Sequence, residues 1–297
     1  MAIIMGPNQY GKAENRVVRI FRDKPRHEIR DLNVSTSLRG PFDDAHTIGD
    51  QSMLLPTDTQ KHMTFVHAKT KPGDSIEEYG LDLARHFVHD IEPVEGARIE
   101  IEEFAWDRAT VDGVEHDHAW TRRGPEVRTA AITVDSTGEY VIGGIKDLVL
   151  LKSTGSEFHG FLKDEFTTLP ETTDRIMATS LVAKWRFSTT DVAWQEVFAQ
   201  VKAIVIREFA TLQSLALQQT LYYIGRAVLE AVPEIVEMRL SAPNKHHFDY
   251  DLAQFGIENN REVFIAADRP YGLIQATVIR DDAPDAGMAW VPSAGLA

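Results

Sequence analysis

A chain of 297 residues with a formal net charge of -14 and no cysteine excludes several functions at once. Disulfides, thiolate-held metals and cysteine nucleophiles cannot occur. The acidic balance, with no run of Lys and Arg, excludes duplex nucleic acid and anionic membranes as expected partners.

The length allows two domains' worth of core. No apolar run approaches the roughly 18 residues of a membrane span, the start has no signal-peptide pattern, and the final AWVPSAGLA carries no Ser-Lys-Leu address. A cytoplasmic location is therefore expected.

Residues 1–8 read as a leader. Val17 to Ile20 and Glu28 to Val34 are strand-like around a turn at Asp23, Lys24 and Pro25, and Leu32 and Val34 alternate with Asp31 and Asn33. Pro41 to Asp50 reads as turns. Thr57, Asp58 and Thr59 open a helix as N-cap types. Ser75 to Glu78 spells a capping box, ahead of Ile76, Tyr79, Leu83 and Phe87 at helical spacing. Two further strands are predicted at Arg98 to Trp106, with a bulge where Glu102 and Glu103 break the alternation, and at Arg128 to Val134.

The second half repeats that order. Strands are predicted at Tyr140 to Leu151 and Leu181 to Phe187. In the latter, Leu181, Ala183, Trp185 and Phe187 form one face against Val182, Lys184 and Arg186. Helices follow from about Asp191 to Phe209 and Ser214 to Ala231. The stripe Leu217, Leu221, Ile224 and Val228 marks the buried face of the second. Strands at Ile235 to Leu240, Glu262 to Ala266 and Leu273 to Ile279 close the pattern. The fold class is α+β: antiparallel sheets with helices on one face, in two units, 8–138 and 139–285. Uncovered sheet edges point to an oligomer.

Between two of these strands lies KSTGSEFHGFLKDEFTTLPETTDR, Lys152 to Arg175, with neither helical nor strand period. Loops of this length in compact domains are functional or disordered, and Phe158, Phe161, Leu162, Phe166 and Leu169 argue for order. An aromatic face beside the Arg175 fork suits a flat, polar, anionic ring. An Ω-like loop packing its own aromatics is the alternative.

Five motifs stand together: NQYGK at Asn8 to Lys12, TDT at Thr57 to Thr59, KSTGSEFHGF with TTLPETTDR, SLALQQT at Ser214 to Thr220, and PNKHHF at Pro243 to Phe248. In this order and spacing the chain resembles the urate oxidase (uricase) family from about residue 8 to 280. The resemblance implies two tandem T-fold units per chain and homotetramers whose sheets join into a tunnel, with sites shared between subunits. It also implies oxidation of urate by dioxygen to 5-hydroxyisourate and hydrogen peroxide, with no metal and no organic cofactor.

By the same resemblance Phe158 is the stacking face, with Leu169 nearby. Arg175 and Gln218 hold opposite edges of urate, and the Leu217 and Gln218 amides lie at a helix start that favours an anion. Thr57 and Asp58 complete the pocket from a neighbouring subunit. Lys12 acts as base through Thr57, for which its ammonium, ordinarily near 10.4, must lose charge. Asn244 holds water or dioxygen above the ring and His246 relays a proton. His247 takes no role. His62 and Met63 depart from the family's usual Asn and Thr after TDT. His116, Asp117 and His118, with His62, His67, His86 and His89, could form a metal site; exposed polar residues at a turn are the preferred reading. Two rivals stay open: a T-fold enzyme that converts pterins, separable by metal analysis, and a purine-binding protein without turnover.

Overall fold

The computed structural model describes residues 2–291; the rest of the AWVPSAGLA tail lies outside the described residues. The chain runs β1 (Tyr10–Phe21), β2 (Glu28–Arg39), α1 (Asp43–Thr47), α2 (Thr57–Thr70), α3 (Ile76–Asp90), β3 (Gly96–Val111) and β4 (Val114–Asp135). It continues with β5 (Gly138–Lys152), β6 (Met177–Phe187), α4 (Trp194–Thr211), α5 (Leu217–Ala231), β7 (Ile235–Asp249) and β8 (Phe264–Ile279). Two-strand, helix, two-strand order appears twice. The eight strands nevertheless form one antiparallel sheet in sequence order. The β4–β5 ladder, from Val127↔Lys146 to Asp135↔Gly138, fuses the halves. Among the described residues β1 and β8 are the two edges, rather than edges in each half.

Alternation decides which face is covered. Ala97, Ile99 and Ile101 of β3 and Ala130, Ile132 and Val134 of β4 are buried, as are Ile76, Tyr79, Leu83 and Phe87 of α3, which packs on those strands. At Gly80 a Cβ would stand 2.5 Å from Ile132 Cδ1, so helix and sheet approach as closely as glycine allows. The second half uses the same device: α5 buries Leu217, Leu221, Ile224 and Val228 against β7 and β8, and a Cβ on Gly225 would meet Val278 Cγ2 at 2.5 Å. The first strand of each half also bulges at the equivalent place. Glu14 between Lys12 and Asn15, and Asp147 between Ile145 and Leu148, both have φ 56°. The two repeats are thus plain in backbone geometry although the sequences are not visibly alike.

A buried polar link crosses between the repeats. Arg128 of β4 donates to Glu77 of α3 at 2.8 Å and to Gln195 of α4 at 2.6 Å, with its guanidinium 4.4 Å from the Phe198 ring centroid.

Several local expectations need correction. The β3 bulges fall at Phe104/Trp106 and Arg108/Thr110, beyond Glu102 and Glu103, which stay in register. The Ser75 hydroxyl accepts from Glu78 N–H, yet the Glu78 carboxylate reaches back to Asp74 N–H, so the box is offset by one residue. α2 is capped by Pro56 with no side-chain bond, so Thr57 and Asp58 are its first turn rather than its cap. α4 and α5 each begin about three residues later than expected, α5 because Ser214 is used in a bridge to Ser156. The two final predicted strands are one, β8. A short helix, α1, lies within the predicted turn region, and Arg186 is buried, bonded to Glu237 at 2.9 Å. His116 and His118 sit exposed on β4, not at a turn, where His118 Nε2 lies 2.7 Å from Pro25 O. No helix among the described residues is long and apolar enough to cross a membrane.

Candidate active site

The 152–175 loop is ordered by backbone pairing. Phe158 exchanges two backbone bonds with Thr172, at 2.8 and 3.0 Å, and Arg175 N–H bonds Ser156 O at 2.8 Å. Ser156 in turn bridges to Ser214: Glu157 N–H reaches Ser214 O at 2.7 Å, and Ser214 N–H reaches Gly155 O at 3.0 Å. These bonds lash the loop to the start of α5. Phe158, Arg175, Leu217 and Gln218 therefore occupy one corner, although up to 60 residues separate them.

Within that corner, Arg175 Cζ lies 5.0 Å from the centroid of the half-buried Phe158 ring, and Phe161 stacks on the same ring at 4.8 Å and 16°. Burial lowers the Arg175 pKa, and no carboxylate contributes to that shift. Gln218 is exposed in the first turn of α5, and Leu217 is buried beneath it. The first intrahelical donor is Thr220 N–H, to Ala216 O at 3.2 Å, so the Leu217 and Gln218 amides precede the helical ladder. Ser214 Oγ and Thr220 Oγ1, 2.7 Å apart, pin the helix start from below. Leu169 stands 50% exposed farther along the loop.

The adjoining strands supply the rest of the corner. Thr179 of β6 pairs with Asn244, and Asn244 with Gly272 of β8. The β7–β8 register then shifts, and His246 pairs with Ala267. The half-buried His246 ring stacks on Phe248 at 5.6 Å. Its pKa is lowered first by burial and then by the Arg175 charge, which puts His246 and Arg175 in one electrostatic neighbourhood.

A second cluster forms at the far end of the molecule. Lys12 lies beside Thr36, its N–H bonded to Thr36 Oγ1 at 3.2 Å, and the Thr36 hydroxyl donates to buried Gln60 of α2 at 2.8 Å. Gly11 allows this contact, for a Cβ there would lie 1.7 Å from Thr36 O. Thr57 is half-buried at the start of α2 and Asp58 is exposed, paired with Lys61 and 3.4 Å from His62. The Asp58 pKa is lowered chiefly by the Lys61 hydrogen bond, and Lys12 is among the charges acting on it. Lys12, Thr57 and Asp58 thus share one neighbourhood.

These two clusters do not meet. Lys12 aligns across the sheet with Thr36, Ile99, Ile132 and Val141, at the end where β4 turns into β5. Arg175 precedes β6 at the opposite end, beyond Lys152↔Met177. Laterally β7 is six strands from β1, roughly 29 Å at about 4.8 Å per strand. A depression of about 480 Å³ on the open sheet face, lined in part by Glu14, Arg98, Glu100, Lys146 and Lys184, contains none of the candidate residues.

The family model described as "Uricase" matches residues 8–133 and 141–275. The uricase of Arthrobacter globiformis is 48% identical over 99% of this chain and 96% of its own, and that of Dictyostelium discoideum 37% over 92% and 96%. The crystal structure of the Arthrobacter globiformis uricase superposes with a TM-score of 0.92, covering 96% of this chain and 98% of that one. The chain belongs to the uricase family.

In this uricase-family chain the residues read from sequence fall into two groups. Phe158, Arg175, Leu217, Gln218, Asn244 and His246 are gathered at one corner, and Lys12, Thr57 and Asp58 at the other. Residues around the site escaped the sequence reading. Asp174 accepts three bonds around the base of the loop and donates one to Thr172 Oγ1, and Arg261, in the β7–β8 connection, contributes two more contacts to it. The Thr-Thr-Asp run hinted at such a turn; Arg261, in the aperiodic stretch ENNRE, carried no signal.

Proposed function

We propose that this chain oxidises urate with dioxygen to 5-hydroxyisourate and hydrogen peroxide, in a homotetramer whose sites are each completed by two subunits. The observation that carries the reading is the separation of the two clusters to diagonal corners of one sheet. Each holds part of a constellation and neither holds all of it. A second copy whose β1 edge pairs with the β8 edge would close the sheet toward a barrel, and barrels require a stagger between strands. A stagger of roughly eight residues would level Lys12 of the partner subunit with Gly272, the partner of Asn244 in the β7–β8 ladder.

In this reading urate lies against Phe158, with the Arg175 fork on one edge and the Gln218 amide on the other. The exposed amides at the start of α5 favour its negative charge. From the partner subunit, Thr57 and the Asp58 backbone close the pocket. Lys12 of the partner subunit takes the proton through Thr57 of the partner subunit. Asn244 holds dioxygen or water over the ring, and His246, its pKa lowered, passes protons at neutral pH. Deprotonated urate is electron-rich and itself supplies the two electrons that reduce dioxygen to peroxide, and one water adds to the oxidised ring to give the 5-hydroxyl, so the protein's tasks are proton removal, orientation and shielding. A cytoplasmic location, and a division into units at 138/139, belong to the same reading.

The test is urate added in air to protein dialysed against a strong chelator, following ultraviolet absorbance and peroxide together. Equimolar urate loss and peroxide formation are expected. Tight binding without turnover would favour the purine-binding reading, and activity restored only by metal would favour a metal-dependent relative.

A further inference from the structure

Arg175 is held in an unusual way. Its guanidinium has the Phe158 face beside it, and its position is fixed through the backbone of the residue before it. Asp174 O accepts from Thr172 Oγ1 at 2.6 Å and from Arg261 Nη2 at 2.7 Å. Asp174 Oδ1 accepts from Gly155 N–H at 3.1 Å and Thr154 Oγ1 at 2.9 Å, while Oδ2 faces Arg261 Nη1 at 3.3 Å. One guanidinium therefore grips both the carbonyl joined to the Arg175 amide and the carboxylate that closes the loop's neck. Arg175 needs no acidic partner of its own, and its fork stays available to an anion.

Arg261 is itself presented by a built turn. It has φ 61°, and Asn259 Nδ2 donates to Tyr250 O at 2.8 Å and Val263 O at 2.7 Å, while Glu262 N–H and Val263 N–H bond Asn259 Oδ1 at 3.0 and 3.1 Å. That turn lies in the connection leaving β7, the strand of Asn244 and His246. Arg261 is thus the tie between the two segments that flank the corner: the stacking loop and the β7–β8 connection.

We propose that Arg261 is a positioning residue, setting the Arg175 fork through Asp174 and coupling its placement to the strand that carries His246. This rests on the reading of Arg175 as the urate clamp. An exposed ion pair contributes little stability by itself, so the effect should appear in substrate affinity before it appears in folding.

Steady-state kinetics with urate on the assembled full chain test this, comparing Arg175→Ala, Arg261→Ala, Arg261→Lys and the double alanine variant. Arg261→Ala should raise KM about tenfold with kcat within about threefold, as loss of binding common to ground and transition states requires. Arg261→Lys, which keeps one donor to Asp174, should recover most of that loss. In the Arg175→Ala background Arg261→Ala should add nothing, because coupled residues are not additive. An unchanged KM for Arg261→Ala, with Arg175→Ala strongly raised, would overturn the positioning role and leave the clamp standing, as would additive losses. An unchanged KM for Arg175→Ala would remove the clamp and this proposal with it.

Discussion

The two halves of the molecule share a backbone plan and divide the candidate residues. Each opens with a strand that bulges at an acidic residue in the left-handed region, Glu14 or Asp147, and each places a helical glycine, Gly80 or Gly225, against the sheet. The loop between the first two strands is six residues long at 22–27 in the first half and 24 residues long at 153–176 in the second. That extension, lashed to α5, makes the aromatic and arginine corner. The first half keeps the short hairpin and contributes instead a lysine before its bulge and a threonine at the start of α2. The two halves offer equivalent frames, and the length of this loop is what distinguishes the side proposed to bind the ring.

The largest expected effect separates the two corners. Lys12→Ala should lower kcat by about 10²–10⁴, the range for loss of a general base, with KM changed only a fewfold. Arg175→Ala should mainly raise KM. Steady-state kinetics on both variants decide this, and wild-type turnover in Lys12→Ala would end the base assignment.

Next in size is the link between halves. Glu77→Ala would remove the 2.8 Å partner of buried Arg128 and leave it the more distant Glu103 carboxylate at 3.8 Å; breaking a buried pair costs about 3–5 kcal/mol, denaturant unfolding should register it as a lower midpoint, and a loss under 1 kcal/mol would show the link to be incidental.

The paired glycines give a smaller and more discriminating contrast. Overpacking costs about 1–3 kcal/mol, but the atom that Gly80→Ala meets is the mobile end of Ile132, whereas Gly225→Ala meets Val278 Cγ2 at 2.5 Å and Cβ at 2.8 Å. Gly225→Ala should therefore lower the melting temperature more than Gly80→Ala; the reverse order would contradict the packing described.

The smallest effect is in pH. Burial lowers the pKa of His246 and of His67 below their ordinary value near 6.5. In the folded state both stay neutral where the unfolded chain already binds protons, so stability is present above about 6.5 and declines as pH falls through the folded pKa values. His246→Gln and His67→Gln should flatten that decline in acid melts, and a stability that rose on acidification would have the wrong sign.

Much of this was legible in the sequence because it rests on period and type. Leu181, Ala183, Trp185 and Phe187 lie on the covered face, and Leu217 to Val228 form the buried stripe of α5. What was not legible depends on partners far along the chain. Arg186 alternates with the buried set yet is buried too, because Glu237 lies beside it and Pro284 O accepts its third donor at 3.0 Å. Arg261 acquires meaning only once Asp174 is next to it. The resemblance pointed to candidate residues, but not to Lys12 and Arg175 standing at opposite corners; that follows from the register of seven ladders.

The most direct test of the shared site is complementation between subunits. Lys12→Ala and Arg175→Ala chains, each nearly inactive at low urate, would be dissociated, mixed in equal amounts and reassembled. If each site takes Lys12 from one subunit and Arg175 from its partner, half of the pairs are mixed and half of their sites are intact. About a quarter of wild-type activity should then return, as random pairing across a symmetric interface requires. Activity no greater than the mean of the two variants would contradict a site built from two chains.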